Sequence, residues 1–332
     1  MKAKRDMPER LMALAVLGLR TAGGHPSAKQ IKTDCENRIA GYKGEKKADF
    51  FLFEAKVQDR PIILKDVDIP GVGRSVQADT VILHPAFILI LEVKNVTGEL
   101  YFDDQTGQFY RIKAGKREGM RNPEDQLNRA VSALESFLAS IGYPVPVHGA
   151  IILASYNGLL QQAPLTRPAL TVDRLPGHIE KLEEENRPIL TRSNLKRIEE
   201  SLTGNQSRKR DNYFLWYNLR WSDIQPGVRC PACHCLGMIR THGRWICPAC
   251  NQVSKDAHRS ALQEFRILFG EQITSRQAMW FLELDSIQTT LRLFENAGMN
   301  PSSQKRNRKF KIPVENFWLE PYINHLMYKR QV

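Results

Sequence analysis

Two carboxylates and a lysine in neighbouring apolar runs are the residues of this chain best suited to chemistry. Asp79 lies in the first run, and Glu92 and Lys94 end the second. If the runs pair as a hairpin with Leu83 opposite Ile88, the two carboxylates face each other directly. Lys94 then shares a strand face with Glu92, because side chains alternate along a strand. Opposed like charges repel, so this pair predicts a bound cation, and Mg²⁺ (or Mn²⁺) is a hard ion that one or two carboxylates hold.

This set of groups is suited to the hydrolysis of phosphodiester bonds. The metal polarises the phosphate and helps to generate hydroxide, while the lysine orients water or stabilises developing charge. The alternative is a solvated strand face on which the same three residues form surface salt bridges. Five apolar residues, Phe87–Leu91, precede Glu92, and the acid on the partner strand has a matching register. Both features favour catalysis.

The predicted elements that position these residues form an α/β sandwich with a mixed sheet. A helix is predicted over Lys43–Lys56, with Gly44 and Glu45 in its first turn. Strands follow at residues 62–64, 75–83, 87–94, 98–102 and 108–112. Asn122 is a suitable N-cap for the next helix, and the continuous apolar run Val147–Ser155 predicts a strand buried on both faces. Helices near 177–186 and 192–202 close the domain.

These motifs, taken in order, resemble the PD-(D/E)xK nuclease superfamily and, more closely, the nuclease-related domain called NERD. The matching pieces are Gly44-Glu45, Q-A-D-T-V-I-L ending at Leu83, I-L-I-L-E-V-K-N ending at Asn95, Gly98, and Asn122-Pro123 with Gln126. They span about residues 40–160. The resemblance implies the αβββαβ core of that superfamily.

The resemblance also implies roles for individual residues. Asp79 and Glu92 would be metal ligands, and Lys94 the catalytic lysine. Glu45 would be an accessory acid and Gln126 a neighbour of the site. From the residues alone, Glu45 could equally be a first-turn residue that interacts with the helix dipole, and Gln126 a solvent-facing helix residue. One departure from the superfamily pattern is that an alanine, not a proline, precedes Asp79.

Four of the six cysteines form two C-x-x-C pairs that resemble a zinc ribbon. They are Cys230, Cys233, Cys247 and Cys250. Four thiolates fill the tetrahedral coordination of Zn²⁺, so the predicted site is structural. His234 and Cys235 are nearby substitutes as ligands, and His242-Gly243 is a predicted tight turn between two short strands. The ribbon could bind nucleic acid through Arg240, Arg244 and Trp245, or serve as a protein contact or a spacer.

The C-terminal segment resembles a helix-turn-helix followed by a wing. Thr274-Ser275 and Asp285-Ser286 are predicted caps of two helices, and the second helix, Ser286–Ala297, carries Arg292. The basic segment that follows contains Lys305, Arg306, Arg308, Lys309 and Lys311. The alternative is a small helical cap with a solvated basic loop.

The organisation predicted for the 332-residue chain has five parts. These are an N-terminal helix or arm (1–35), a nuclease-like NERD domain (36–202), a basic linker (203–225), a zinc ribbon (226–255) and a mostly helical, winged helix-turn-helix-like domain (256–332). The apolar run Leu11–Leu19 superficially resembles a secretory signal. Asp6 and Glu9 lie where such a signal would be basic, so we expect a cytoplasmic protein without a membrane segment.

A net charge of +12 and a pI of about 9.5 indicate a polyanionic partner, although a basic surface alone would produce the same numbers. The sequence therefore predicts a Mg²⁺- or Mn²⁺-dependent nuclease, with DNA favoured over RNA, whose ribbon and C-terminal module position the substrate. The alternative is a non-catalytic nucleic-acid-binding or regulatory protein built on a nuclease-like scaffold.

Overall fold

The computed structural model describes residues 5–71, 73, 75–204, 211–301, 308–315 and 319–328. The helices are α1 (Glu9–Arg20), α2 (Ala28–Leu52), α3 (Pro123–Ser140), α4 (Leu175–Glu185), α5 (Arg192–Gly204), α6 (Tyr213–Trp216), α7 (Ala257–Phe269), α8 (Ser275–Leu282), α9 (Ile287–Asn296) and α10 (Leu319–Tyr328). The strands are β1 (Ile62–Ile69), β2 (Val76–Leu83), β3 (Ile88–Lys94), β4 (Gly98–Asp103), β5 (Gln108–Lys113), β6 (Lys116–Met120), β7 (Val147–Leu153), β8 (Gly158–Gln162), β9 (Ala169–Thr171), β10 (Ile239–Thr241), β11 (Arg244–Ile246), β12 (Val253–Ser254), β13 (Gln272–Thr274) and β14 (Lys309–Lys311).

The chain divides into two compact units. The first comprises Met1–Asp6 and Ala40–Arg210, and the second comprises Met7–Ile39 and Asp211–Val332. Helix α2 contributes its beginning to the second unit and its end to the first. The division into five parts remains a prediction, and residues 205–210 of its basic linker lie outside the described residues.

A five-stranded mixed sheet forms the centre of the first unit, in the order β1-β2-β3-β7-β9. The pairs β1–β2 and β2–β3 are antiparallel, whereas β3–β7 and β7–β9 are parallel. One hydrophobic cluster joins this sheet to α3 and α5, and another joins it to α2 and α4. The predicted α/β fold with a mixed sheet is therefore confirmed, and its helices and strands follow the predicted αβββαβ order.

The central strands are apolar because helices cover both of their faces. In β3 every residue from Ile88 to Val93 is buried, and β7 is buried almost throughout. Helix α3 begins as predicted, since the Asn122 side chain accepts a hydrogen bond from the Glu124 N–H. These features fix the strand that carries Glu92 in the middle of the domain.

A second sheet of the first unit has the order β6-β5-β4-β8. The sequence pattern predicts β4 and β5, but it predicts neither β6 nor the short strands β8 and β9. The sequence of β6, KREGM, offers no apolar alternation, and its residues are mostly exposed. Its backbone pairing with β5, not burial, makes it a strand.

Helix α2 differs from its prediction. It begins at Ala28 instead of Lys43 and ends at Leu52. Gly44 and Glu45 therefore lie well inside the helix, and the expectation that they occupy its first turn is wrong. The interpretation of Glu45 as a first-turn dipole residue is wrong for the same reason. The preceding turns of α2 are rich in charged residues and show no amphipathic pattern, so little in the sequence indicates them.

The second unit contains two small sheets, β10-β11-β12 and β13-β14, with the remaining helices. A buried ion pair lies in its core, where the Arg20 guanidinium donates to the carboxylate of Glu264 and to the backbone oxygens of Gln225 and Gly227. Both charged side chains are fully buried, and this pairing offsets the cost of desolvating them.

In the part of the chain that the structure describes, no helix is long and apolar enough to span a membrane.

Candidate active site and cysteine cluster

The register of the β2–β3 hairpin brings the two predicted acids together. Leu83 pairs with Ile88 and Thr80 with Leu91, which confirms the predicted register. One step beyond this ladder, the Asp79 carboxylate accepts a hydrogen bond of 2.9 Å from the backbone N–H of Val93. The side chain of Asp79 therefore replaces a backbone acceptor at the end of the hairpin, next to Glu92.

Lys94 connects the strand to helix α3. Its Nζ donates to Glu92 Oε1 at 2.5 Å and to Gln126 Oε1 at 3.4 Å. The Glu92 side chain is buried, whereas that of Lys94 is 24% exposed. The structure thus brings Gln126 to the predicted site. Because its side chain contacts Lys94, Gln126 is not a purely solvent-facing helix residue.

Glu45 reaches the site because α2 packs closely on the ends of β3 and β7. A Cβ added at Gly44 would lie 2.7 Å from the Asn95 Cβ, so only glycine permits this approach. The Asn95 side chain donates to the Ala40 oxygen at 2.7 Å, and Lys47 Nζ donates to the Ala154 oxygen at 2.9 Å. Glu45 is buried at this contact.

Three further charged residues, which the sequence patterns did not identify, lie beside these acids. Asp49 is one helical turn after Glu45, and Asp66 of β1 lies opposite Asp79, where φ of 52° interrupts the β1–β2 ladder. The Arg5 guanidinium contacts Asp49 at 3.0 Å and Glu45 and Asp66 at 3.3 Å. The i, i+4 spacing of Glu45 and Asp49 could have indicated Asp49. No local pattern links Arg5 to residues so distant in the sequence.

The electrostatics of the carboxylate pair favour a bound cation. Burial and, to a lesser extent, the negative charges of Glu92 and Glu45 raise the pKa of Asp79 to about 8. The hydrogen bond from the Val93 N–H and the positive charge of Lys94 act in the opposite direction and lower this pKa. Burial also raises the pKa of Glu92, which Lys94 opposes. A divalent ion held by the Asp79 and Glu92 oxygens would offset the burial and the neighbouring negative charges that raise these pKa values.

The four predicted cysteines form a single cluster. Their sulfur atoms all lie within 4.8 Å of one another. The Cys230–Cys250 and Cys233–Cys247 sulfur pairs are each 3.6 Å apart. Four thiolates at about 2.3 Å from one Zn²⁺ stand about 3.8 Å apart in a tetrahedron, so the spacing fits zinc. The nearby substitutes His234 and Cys235 are outside this cluster.

The ribbon around this cluster has the predicted hairpin. Strand β10 pairs with β11, and His242 and Gly243 turn between them with φ of 45° and 81°. Positive φ at both central residues is the geometry of a tight hairpin turn.

One predicted nucleic-acid contact needs correction. Trp245 is fully buried, and its Nε1 donates to His258 Nδ1 at 3.3 Å, so its ring belongs to the core and cannot stack on a base. The Arg240 guanidinium lies 5.2 Å from the centre of that ring and is half-buried. The other basic residues that were predicted to bind nucleic acid, and that the structure describes, are exposed: Arg244, Arg292, Arg308, Lys309 and Lys311. Lys305 and Arg306 lie outside the described residues.

The predicted helix caps of the C-terminal segment are confirmed. The Thr274 side chain accepts from the Gln277 N–H at the start of α8, and the Ser286 side chain accepts from the Thr289 N–H at the start of α9. Strand β14, from the predicted wing, pairs with β13. The winged helix-turn-helix itself stays a prediction.

Comparison with known proteins identifies the region that contains the acids. Residues 40–154 match the family model of the nuclease-related domain, NERD. No curated protein and no solved structure matches the chain. The matched region includes Glu45, Asp79, Glu92, Lys94 and Gln126. The chain therefore carries a nuclease-related domain over residues 40–154.

Proposed function

We propose that this chain is a metal-dependent nuclease that hydrolyses phosphodiester bonds, with DNA as the favoured substrate. The observation that carries the proposal is the juxtaposition of Asp79, Glu92 and Lys94 at the end of an apolar hairpin within a nuclease-related domain. Repulsion and burial make this arrangement costly for a purely structural element. The cost is offset when the carboxylates hold a cation.

In this proposal Asp79 and Glu92 hold Mg²⁺ or Mn²⁺. The ion would supply Lewis-acid stabilisation of the phosphate. Lys94, fixed by Glu92 and Gln126, keeps an ammonium group at the site, where it orients the attacking water or stabilises charge on the phosphate. Glu45 supplies an additional carboxylate, and the partly exposed Lys94 would be accessible to a substrate phosphate.

The four-cysteine cluster is proposed to hold structural Zn²⁺. All four coordination positions are taken by sulfur, which leaves none for a reacting water. The expected zinc content is one ion per chain, and Cys247→Ser should lower it. Cys235→Ser is the matched control, because this cysteine is exposed and outside the cluster. Equal zinc content in both variants would contradict the assignment.

We propose that the basic second unit positions the nucleic acid, with DNA favoured over RNA. The exposed Arg244 and Arg292 and the high net charge support this role. The ribbon and the C-terminal helices would then deliver the substrate to the nuclease-related domain.

The test of the proposed function is cleavage of plasmid DNA, linear DNA and RNA with Mg²⁺, with Mn²⁺ and with EDTA. Asp79→Asn and Lys94→Ala should each reduce cleavage by about 10²–10³-fold. The matched controls Asp104→Asn and Lys113→Ala replace exposed residues of the same unit and should cleave normally. If wild type and the two active-site variants behave alike, the chain is a binding protein on a nuclease-like scaffold.

A further inference from the structure

We propose that Arg5 is a built-in cation of the active site that positions the Glu45 carboxylate and takes the place of a second metal ion. The inference rests on the proposed function, because it concerns the same group of acids. It assigns a role to the segment that precedes α1, which lies outside the matched nuclease-related domain.

The guanidinium of Arg5 is bound from several sides. Its Nε donates to Asp49 Oδ2 at 3.0 Å and its Nη2 to Asp49 Oδ1 at 3.2 Å, which is a two-pronged contact. Nη2 also donates to Thr80 Oγ1 at 2.8 Å. The Tyr42 hydroxyl donates to the Arg5 backbone oxygen at 3.1 Å, which holds the chain at this point.

The remaining nitrogen, Nη1, reaches the acids next to the proposed metal ligands. It donates to Glu45 Oε2 and Asp66 Oδ2, each at 3.3 Å, and to the backbone oxygen of Asp79 at 3.2 Å. A guanidinium has five N–H groups, and each nitrogen of Arg5 is engaged with acceptors. No donor is left for a phosphate, so Arg5 acts on other residues and not on the substrate.

Arg5 leaves the proposed metal ligands accessible. In the described part of the chain, its hydrogen bonds reach neither carboxylate of the Asp79–Glu92 pair. Those carboxylates bond instead to the Val93 N–H and to Lys94. An arm that blocked metal binding would occupy these oxygens, so the geometry points to support of the site and not to its inhibition.

The carboxylates that Arg5 contacts are themselves hard oxygen ligands. Glu45 and Asp66 flank Asp79, and two divalent ions often share such a group of acids in phosphodiester chemistry. Arg5 is 4% exposed, and removing it would take this buried cation away from Glu45 and Asp66, whereas Asp49 would keep its 2.9 Å contact with Lys65 Nζ. A second divalent ion is therefore expected to bind where the guanidinium is deleted.

The experiment counts Mn²⁺ ions bound to the full-length, zinc-loaded chain, by electron paramagnetic resonance of free Mn²⁺ during titration. Wild type is expected to bind one ion, and Asp79→Asn none. Arg5→Ala should bind two, whereas Arg5→Lys should restore one. The matched control is Arg111→Ala, which removes an arginine paired with Glu118 on the surface and should bind one ion.

Plasmid cleavage is measured in parallel, and Arg5→Ala should lose about 10–100-fold, because Glu45 loses its contact with the guanidinium. A folded Arg5→Ala that binds one ion with unchanged affinity overturns the proposal. So does faster cleavage by this variant, which would indicate an inhibitory arm. If Arg5→Ala does not fold, the neutral Arg5→Gln is compared with Arg5→Lys, and equal ion counts for the two overturn the proposal. A wild type whose Mn²⁺ binding is indifferent to Asp79→Asn instead contradicts the proposed function itself.

Discussion

At the scale of residues, the position of Lys94 depends on its two partners. Glu92 fixes the ammonium at 2.5 Å, and Gln126 offers a second, longer contact at 3.4 Å from another element. The lysine and its acid partner could be predicted from the apolar run that precedes them, and Asp79 from the hairpin register. Arg5 could not, because its contacts depend on tertiary folding and leave no pattern in the local sequence.

Gln126→Ala should lower the rate of DNA cleavage by about fivefold. One hydrogen bond contributes about 1 kcal/mol, and its removal allows Lys94 to shift away from its working position. The affinity for Mn²⁺ should be unchanged, because Gln126 contacts the lysine and not the carboxylates. Steady-state cleavage rates and Mn²⁺ titrations measure the two effects. Gln162→Ala, which removes an exposed hydrogen bond to Asp104, is the matched control. A weakened Mn²⁺ affinity in Gln126→Ala would argue against this role.

At the scale of elements, the site depends on how closely α2 approaches the sheet. The positions of β2, β3 and β7 and the register of the β2–β3 hairpin could be predicted, because alternation and continuous apolar runs reflect local burial, whereas the exposed or short strands β6, β8 and β9 could not. The length of α2 could not, because its early turns carry mostly charged residues and its helical state does not show as an apolar stripe. The close approach at Gly44 likewise exists only once the helix and the strand ends are in place.

Gly44→Ala should destabilise the first unit by about 1–3 kcal/mol, since the new methyl group would meet Asn95 and Ala154. It should also reduce cleavage, because Glu45 moves with the helix. Gly177→Ala in α4 is the matched control. Apart from the chain neighbours and the backbone of its own helix, no atom lies within 4 Å of the new Cβ, so the stability of this variant should be unchanged or slightly higher. Urea unfolding measures the free energy of unfolding of the two variants. Equal stability losses in the two variants would rule out a packing role for Gly44.

The contact between β11 and α7 should make stability depend on pH. Burial, together with the charges of Arg240 and Arg259, lowers the pKa of His258 to about 4. The negative charges of Asp256 and Glu315 raise this pKa but do not outweigh the burial. The folded histidine stays neutral, whereas the unfolded one takes up a proton below about pH 6.5. The stabilisation from this site is therefore complete above about pH 6.5 and is lost as the pH falls towards about 4.

Wild type should lose on the order of 3 kcal/mol more than His258→Gln between about pH 7 and about pH 4. Urea unfolding of zinc-saturated protein at several pH values measures this difference, and the variant controls for protonation of the cysteines. Parallel pH profiles for the two proteins would show that His258 is not responsible.

At the scale of the whole molecule, the two compact units differ in their chemistry. The first holds the acids of the nuclease-related domain, and the second holds the cysteine cluster and exposed basic residues. The net charge of +12 is a property of the whole chain, and the sequence alone could not tell which side chains are exposed. Trp245 is an example, because this aromatic residue beside Arg244 proved to be part of the core.

Binding to DNA should be strongly salt-dependent, and it should survive Asp79→Asn. Replacing Arg292, Arg308 and Lys311 by alanine should weaken binding and reduce the slope of log affinity against log salt by about one for each phosphate that is no longer neutralised. Lys181→Ala, which removes a cation paired with Glu185, is the control. Fluorescence anisotropy at several salt concentrations measures the slope, and an unchanged slope in the triple variant would place the DNA elsewhere.

Asp79 and Glu92 are proposed to hold a divalent metal ion. Anomalous diffraction from a crystal soaked in Mn²⁺ tests this claim most directly. The predicted result is one peak about 2.1 Å from a carboxylate oxygen of each residue, and its disappearance in Asp79→Asn. A soaked crystal with no peak between Asp79 and Glu92, from protein that cleaves DNA in the same buffer, would contradict the claim.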